Sequence, residues 1–87
     1  MNESTTKSLA ELGVQEAAVE RFELAQMLFR DVGDEQGEGK VLANLGLAKH
    51  RAGQTEEAQA LLQQALSRLH PASNAHRLVE RRITSTG

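Results

Sequence analysis

The chain has 87 residues, room for one domain near the lower end of the size at which a single core is self-sufficient. Its 39% apolar share leans on Ala and Leu, with two Phe and no Trp, Tyr or Cys, which excludes disulfide staples, thiol chemistry and Cys-based zinc sites and leaves no aromatic platform for bases or sugars. Net charge is −2, with six Lys/Arg and eleven Asp/Glu in residues 1–66 against four Arg and one Glu in residues 67–87, an acidic body and a basic tail that fall far short of nucleic-acid binding.

In chain order, helix-forming stretches are punctuated by Gly13, Gly33 and Gly53, where left-handed C-caps are expected, and by Pro71, which cannot continue a helix interior. These marks predict five helices: Glu3 to Leu12, Gln15 to Val32, Glu35 to Ala52, Glu56 to Leu69 and Asn74 to Ile83. Period-2 alternation is absent, so no strand is expected. Met1 to Leu12 is polar and carries Glu3 and Glu11, unlike a secretory leader, and no apolar run approaches the roughly 20 residues needed to span a bilayer. A cytoplasmic setting is the expectation.

The second expected helix carries an apolar stripe of Ala18, Phe22, Ala25 and Phe29, the third Val41, Leu42, Leu45 and Ala48, and the fourth Ala58, Leu62, Ala65 and Leu69. Forty residues separate two versions of one pattern: Gly13, Glu16, Ala18 and Ala25 recur as Gly53, Glu56, Ala58 and Ala65, and Phe22 and Phe29 recur as Leu62 and Leu69. Self-similarity at such a period marks a repeat architecture. Small Ala in each stripe lets helix backbones approach, and the short loops make neighbouring helices antiparallel. The expected fold is all-α, a stack of helical hairpins.

Leu42-Ala-Asn44-Leu45-Gly46, then Ala48, Gly53, Glu57-Ala58, Leu62, Ala65-Leu66 and Pro71 resemble a tetratricopeptide repeat (TPR). Leu45-Gly46 matches the family's Leu-Gly pair, with Gly46 allowing close helix crossing, and Ala58, Leu62 and Ala65 match the packing positions of its second helix. The match spans Gly39 to about Pro71. The 40-residue spacing, with Val32-Gly33-Asp34 as the turn, is similar to the longer TPRs of kinesin light chains, G-protein-signalling modulators and bacterial signalling ATPases. The resemblance implies a TPR-like α-solenoid of about two repeats. Residues 1–33 form a degenerate first repeat, with Thr5-Thr6 where Leu-Gly belongs, and 34–72 a well-matched second. Residues 73–83 form a capping helix or partial third repeat, and 84–87 a disordered tail.

TPRs bind extended peptides on a concave surface, and the resemblance places its peptide-binding groove at Lys40, Ala43, Asn44, Leu47, His50 and Arg51. Asn44 stands where longer-repeat TPRs hold a ligand's backbone amide, a task suited to a carboxamide that both donates and accepts. The plainer alternative is that Asn44 stabilises its hairpin or faces water. Leu47 occupies a position where the chaperone-tail type uses Asn, which argues against that specialisation. Lys49, His50 and Arg51 also complement a helix C-terminus without any ligand. His70 and His76, six apart across Pro71, lack the three- or four-residue spacing of a helical metal pair.

Arg77, Arg81 and Arg82 beside Leu78, Val79 and Ile83 make a basic amphipathic helix, read first as a cap with a solvated outer face. Gly33-Asp-Glu-Gln-Gly37-Glu-Gly39 is acidic and lacks the Gly-Lys-Ser/Thr ending of a phosphate loop. It reads as a flexible turn between repeats, with Asp34 capping the helix that follows. No catalytic grouping and no cofactor signature is found, so the expectation is a non-enzymatic adaptor or scaffold for a protein or peptide partner, without nucleic acid or membrane. Because so few repeats leave apolar surface uncovered, self-association into a homo-oligomer through the exposed repeat ends is the alternative.

Overall fold

The computed structural model describes the backbone of residues 3–86 and the side chains of residues 17–85. The fold is all-α, four helices with no strand among the described residues: α1 (Glu3–Asp31), α2 (Glu35–Arg51), α3 (Thr55–Arg68) and α4 (Asn74–Thr86). The α1–α2 and α2–α3 links are three residues each, and α2 packs against both α1 and α3, with α4 lying on α3.

Both links close by the same mechanism. Gly33 and Gly53 have φ of 76° and 84°, a region that residues with a Cβ enter only at a cost. At the end of α1, Gly33 N–H donates to Arg30 C=O and Asp34 N–H to Phe29 C=O; at the end of α2, Gly53 N–H donates to His50 C=O and Gln54 N–H to Lys49 C=O. Each pair is a Schellman motif that satisfies carbonyls a helix end would otherwise orphan. Asp34 then starts α2, its Oδ1 accepting the Gly37 N–H at 2.8 Å, and Ser73 Oγ accepts the His76 N–H at 3.1 Å to start α4.

Three expectations are corrected. No break forms at Gly13: α1 runs through it as one 29-residue helix. A single Gly among good helix formers costs only about 1 kcal/mol, and no proline or following turn residue enforces a stop. The first hairpin expected of residues 1–33 is therefore absent, while Thr5 and Thr6 lie outside the described side chains. Gly37 and Gly39 do not form a flexible turn but belong to the first turns of α2. Residues 84–86 are not a disordered tail; they continue α4, with Thr84 Oγ1 donating to Glu80 C=O and Ser85 Oγ to Arg81 C=O. Gly87 lies outside the described residues.

The core sits between α2 and α3 and is closed from below by α4. Val41, Leu42, Leu45 and Ala48 of α2 and Ala58, Leu62, Ala65 and Leu69 of the α3 stripe are all buried, joined by Val79 of α4. Leu42 and Leu62, each 1% exposed, are its largest fully enclosed side chains. Gly46 lets the two helices come close: a Cβ there would lie 3.0 Å from Leu62 Cγ and 3.3 Å from the Ala58 carbonyl oxygen. The α1 stripe of Ala18, Phe22, Ala25 and Phe29 is half-buried against α2.

Among the described residues, one charged side chain is buried with the core. Glu38 is 3% exposed, and its Oε2 accepts from Arg30 Nε and Gln26 Nε2 of α1, each at 3.4 Å. Its Oε1 lies 3.7 Å from Arg68 Nε at the end of α3. A buried carboxylate is tolerable only when paired and hydrogen-bonded, so this arrangement ties α1 and α3 to the first turn of α2. His70 N–H, donating to Gln36 Oε1 at 2.8 Å, adds a further link at the same joint.

Candidate functional site

An open groove runs between the face of α2 that points away from α1 and the near wall of α4, with a cavity volume of about 590 Å³. Lys40, Ala43, Asn44 and Leu47 line it from α2, at positions three and four apart that place them on one helical face. Leu62 forms part of its floor, and Ala75, Leu78 and Val79 form the apolar wall on α4. Arg81, Arg82 and Ser85 complete that wall toward the end of α4.

The chemistry of the groove follows from these residues. Ala43 and Ala75 are small and keep the walls apart without filling the space, and Leu47 and Leu78 give it apolar contact surface. Leu78 is 62% exposed, unusual for a large apolar side chain on a helix whose other apolar positions, Ala75, Val79 and Ile83, are packed inward. Lys40, Arg81 and Arg82 are cationic, and no carboxylate is among the lining residues. Asn44 is exposed on the α2 wall, so its carboxamide is open to an incoming chain.

Of the six positions expected to form the groove, Lys40, Ala43, Asn44 and Leu47 are brought together here, whereas His50 and Arg51 lie outside its lining. Both lie further along α2 than Leu47, the last α2 residue of the lining. His50 is half-buried, and its Nδ1 is enclosed with no hydrogen-bond partner among the described residues. Lys49, its neighbour, pairs with Glu57 across the α2–α3 hairpin at 3.4 Å. His76 turns away from His70 and meets Glu80 one helical turn on, Nδ1 to Oε1 at 3.0 Å.

The α4 wall was not part of the expected groove. Its signal lay in the spacing of Leu78, Arg81, Arg82 and Ser85, which recur at three, four and seven residues and so mark a second face of α4 beside the one that packs. A further depression at the joint of α1, α2 and α3 is lined by Arg30 and Arg68 together with Asp34, Glu35 and Glu38. Its two arginines already serve Glu38. No helix among the described residues is long and apolar enough to cross a membrane.

No protein-family model matches the chain, and no curated protein or solved structure matches it either, so the TPR resemblance rests on its motif residues alone.

Proposed function

We propose that this chain is a non-enzymatic interaction module that holds a peptide or helical segment of a protein partner in the groove between α2 and α4. The observation that carries the reading is the groove itself: apolar along its floor, cationic at its rim, and open to Asn44. Leu47 and Leu78 offer burial to apolar side chains of a ligand, and Asn44 offers one donor and one acceptor to a backbone peptide unit. The lining holds no carboxylate, thiol or imidazole, and its one hydroxyl, on Ser85, donates to the backbone carbonyls of Arg81 and Arg82 with no general base among the lining residues beside it. A TPR-type solenoid, an adaptor or scaffold role and a cytoplasmic setting belong to the same reading, as does the exclusion of nucleic acid and membrane as partners.

The test is a selection of binding peptides from a displayed random library, followed by mapping of amide chemical-shift changes on the isotope-labelled protein. Shifts are expected to gather at Ala43, Asn44, Leu47 and Leu78. Asn44→Ala should weaken the selected peptides on the order of tenfold, the worth of one well-made amide contact. Selected peptides that bind Asn44→Ala and Leu47→Glu as well as they bind the parent chain would overturn the reading.

A further inference from the structure

Among the described residues, the exposed large apolar side chains fall in two places. Leu24, Met27 and Leu28 stand on α1 with Val32 just beyond its end, and Leu78 stands on the α4 wall of the groove. Leu24, Met27 and Leu28, 60%, 57% and 60% exposed, form a patch one turn long on α1, reaching from the flank of the Ala18–Phe22–Ala25–Phe29 stripe, at Leu28, round to the side away from α2, at Met27. Helix α1 thus carries, beside its packed stripe, a second apolar patch that nothing covers, bounded along the helix by Glu20 and Asp31. A helix of that kind is fitted to lie between two neighbours.

The apolar patch of α1 and the groove carry opposite charge. Glu20, Glu23 and Asp31 are exposed around the outer apolar patch of α1, with Arg21 and Arg30 as the cations beside them, Arg30 being paired with Glu38. The groove is rimmed by Lys40, Arg81 and Arg82. Pairing two outer faces of α1 would bring acidic flanks together, and pairing two grooves would bring cationic rims together; only outer face against groove joins unlike charge and buries both apolar surfaces. Continuation of the stack from the far side of α4 is disfavoured, since Arg77, Glu80 and Thr84 there are exposed and polar.

We infer that the occupant of the groove is the outer face of α1 from a second copy of this chain, so that copies join head to tail. The inference rests on the groove reading above and names its partner. The contact is heterologous: each copy gives its α1 face to one neighbour and its groove to another. Copies therefore grow into an open chain or close into a ring. Leu24, Met27 and Leu28 enter beside Leu47 and Leu78, while Glu20 and Glu23 approach the cationic rim. An interface on so few apolar anchors belongs to the weak class, below about 1,200 Å² in total, and assembly is expected on the order of 10–100 µM.

The experiment is sedimentation equilibrium of the full chain across a dilution series, with Leu24→Glu and Leu78→Glu. Both positions are exposed, so both variants should keep the parent's circular dichroism. The parent should assemble, and each variant alone should be monomeric. An equimolar mixture of the two should form a 1:1 dimer that grows no further, because Leu24→Glu retains an intact groove and Leu78→Glu retains an intact α1 face. If Leu78→Glu still assembles while Leu24→Glu does not, α1 pairs with itself and the inference is wrong. Assembly by both variants would place the contact elsewhere and overturn it equally. A parent chain that stays monomeric to about 500 µM also overturns it; if its groove then still binds selected peptides through Asn44, the groove reading survives, with an acidic segment of another protein as occupant.

Discussion

Phe29 and Leu69, forty residues apart and equivalent in the repeat, close on the same helical turn of α2 from two sides. A Cβ at Gly37 would lie 2.6 Å from Phe29 Cδ1, and one at Gly39 would lie 2.8 Å from Leu69 Cγ and Cδ2. Two glycines in one turn weaken a helix by about 1 kcal/mol each in propensity. Here they let the ends of α1 and α3 reach the backbone of α2, with the Glu38 carboxylate between them. Local helix preference is given up for close packing of three helices.

Gly39→Ala tests which term wins. Alanine improves helix propensity by about 1 kcal/mol, but its methyl meets Leu69, which is buried, and lies 3.1 Å from Arg68 Cβ. Overpacking of this kind costs about 1–3 kcal/mol. The expected net effect is a loss of up to about 2 kcal/mol, read as a lower urea midpoint at unchanged slope. A raised midpoint would mean that Leu69 has room to turn aside.

Glu38→Ala removes the shared acceptor of Gln26, Arg30 and Arg68. The arginine side chains are 61% and 44% exposed, so they rehydrate when the carboxylate is lost. The cost should therefore fall below that of a fully buried ion pair, about 1–3 kcal/mol rather than 3–5. Glu38→Gln keeps one acceptor and loses the charge, and should cost about 1 kcal/mol. Raising salt from low to molar ionic strength should narrow the gap between the parent and Glu38→Gln in urea melts, because the arginine ends of the pair are open to screening.

The three apolar stripes and the caps at Gly33, Gly53 and Asp34 were legible in the sequence because each is a local pattern: a period of 3.6, a glycine after a helix, an acceptor before one. Gly13 looked identical to Gly33 in that local view. What separates them is the next residue or two: Asp34 starts a new helix with its side chain, whereas Val14 and Gln15 offer no cap and Glu16, Ala17 and Ala18 favour continuation. Half of the groove was legible for the same reason. Lys40, Ala43, Asn44 and Leu47 share one face of one helix, while the α4 wall depends on how α4 docks against α3, a tertiary fact with only a faint trace in the spacing of Leu78, Arg81 and Ser85.

Leu62→Ala and Leu28→Ala make the same chemical deletion in opposite environments. Leu62 is 1% exposed and fills the space between α2 and α3, so its loss should cost about 2–5 kcal/mol. A chain of this size holds about 5–15 kcal/mol in total, and the variant should be partly unfolded near 37 °C. Leu28 is 60% exposed in the single chain, and its loss should change the unfolding free energy of dilute protein by no more than about 0.5 kcal/mol. A large cost at Leu28 in dilute protein would contradict the placement of the outer face of α1.

Gly13→Ala and Gly33→Ala should move stability in opposite directions. Both glycines follow helix-forming residues, yet α1 passes through Gly13 and ends before Gly33, whose φ is 76°. In a continuous helix the methyl adds helix propensity, so Gly13→Ala should deepen the 222 nm circular dichroism signal and stabilise by up to about 1 kcal/mol. At Gly33 space is open around the added methyl, and the whole cost is conformational, about 1–2 kcal/mol for a left-handed residue with a Cβ. Thermal melts of the two variants give the sign directly. Were Gly13 a cap like Gly33, both substitutions would lower the melting temperature; a rise at Gly13 and a fall at Gly33 is the signature of one long α1.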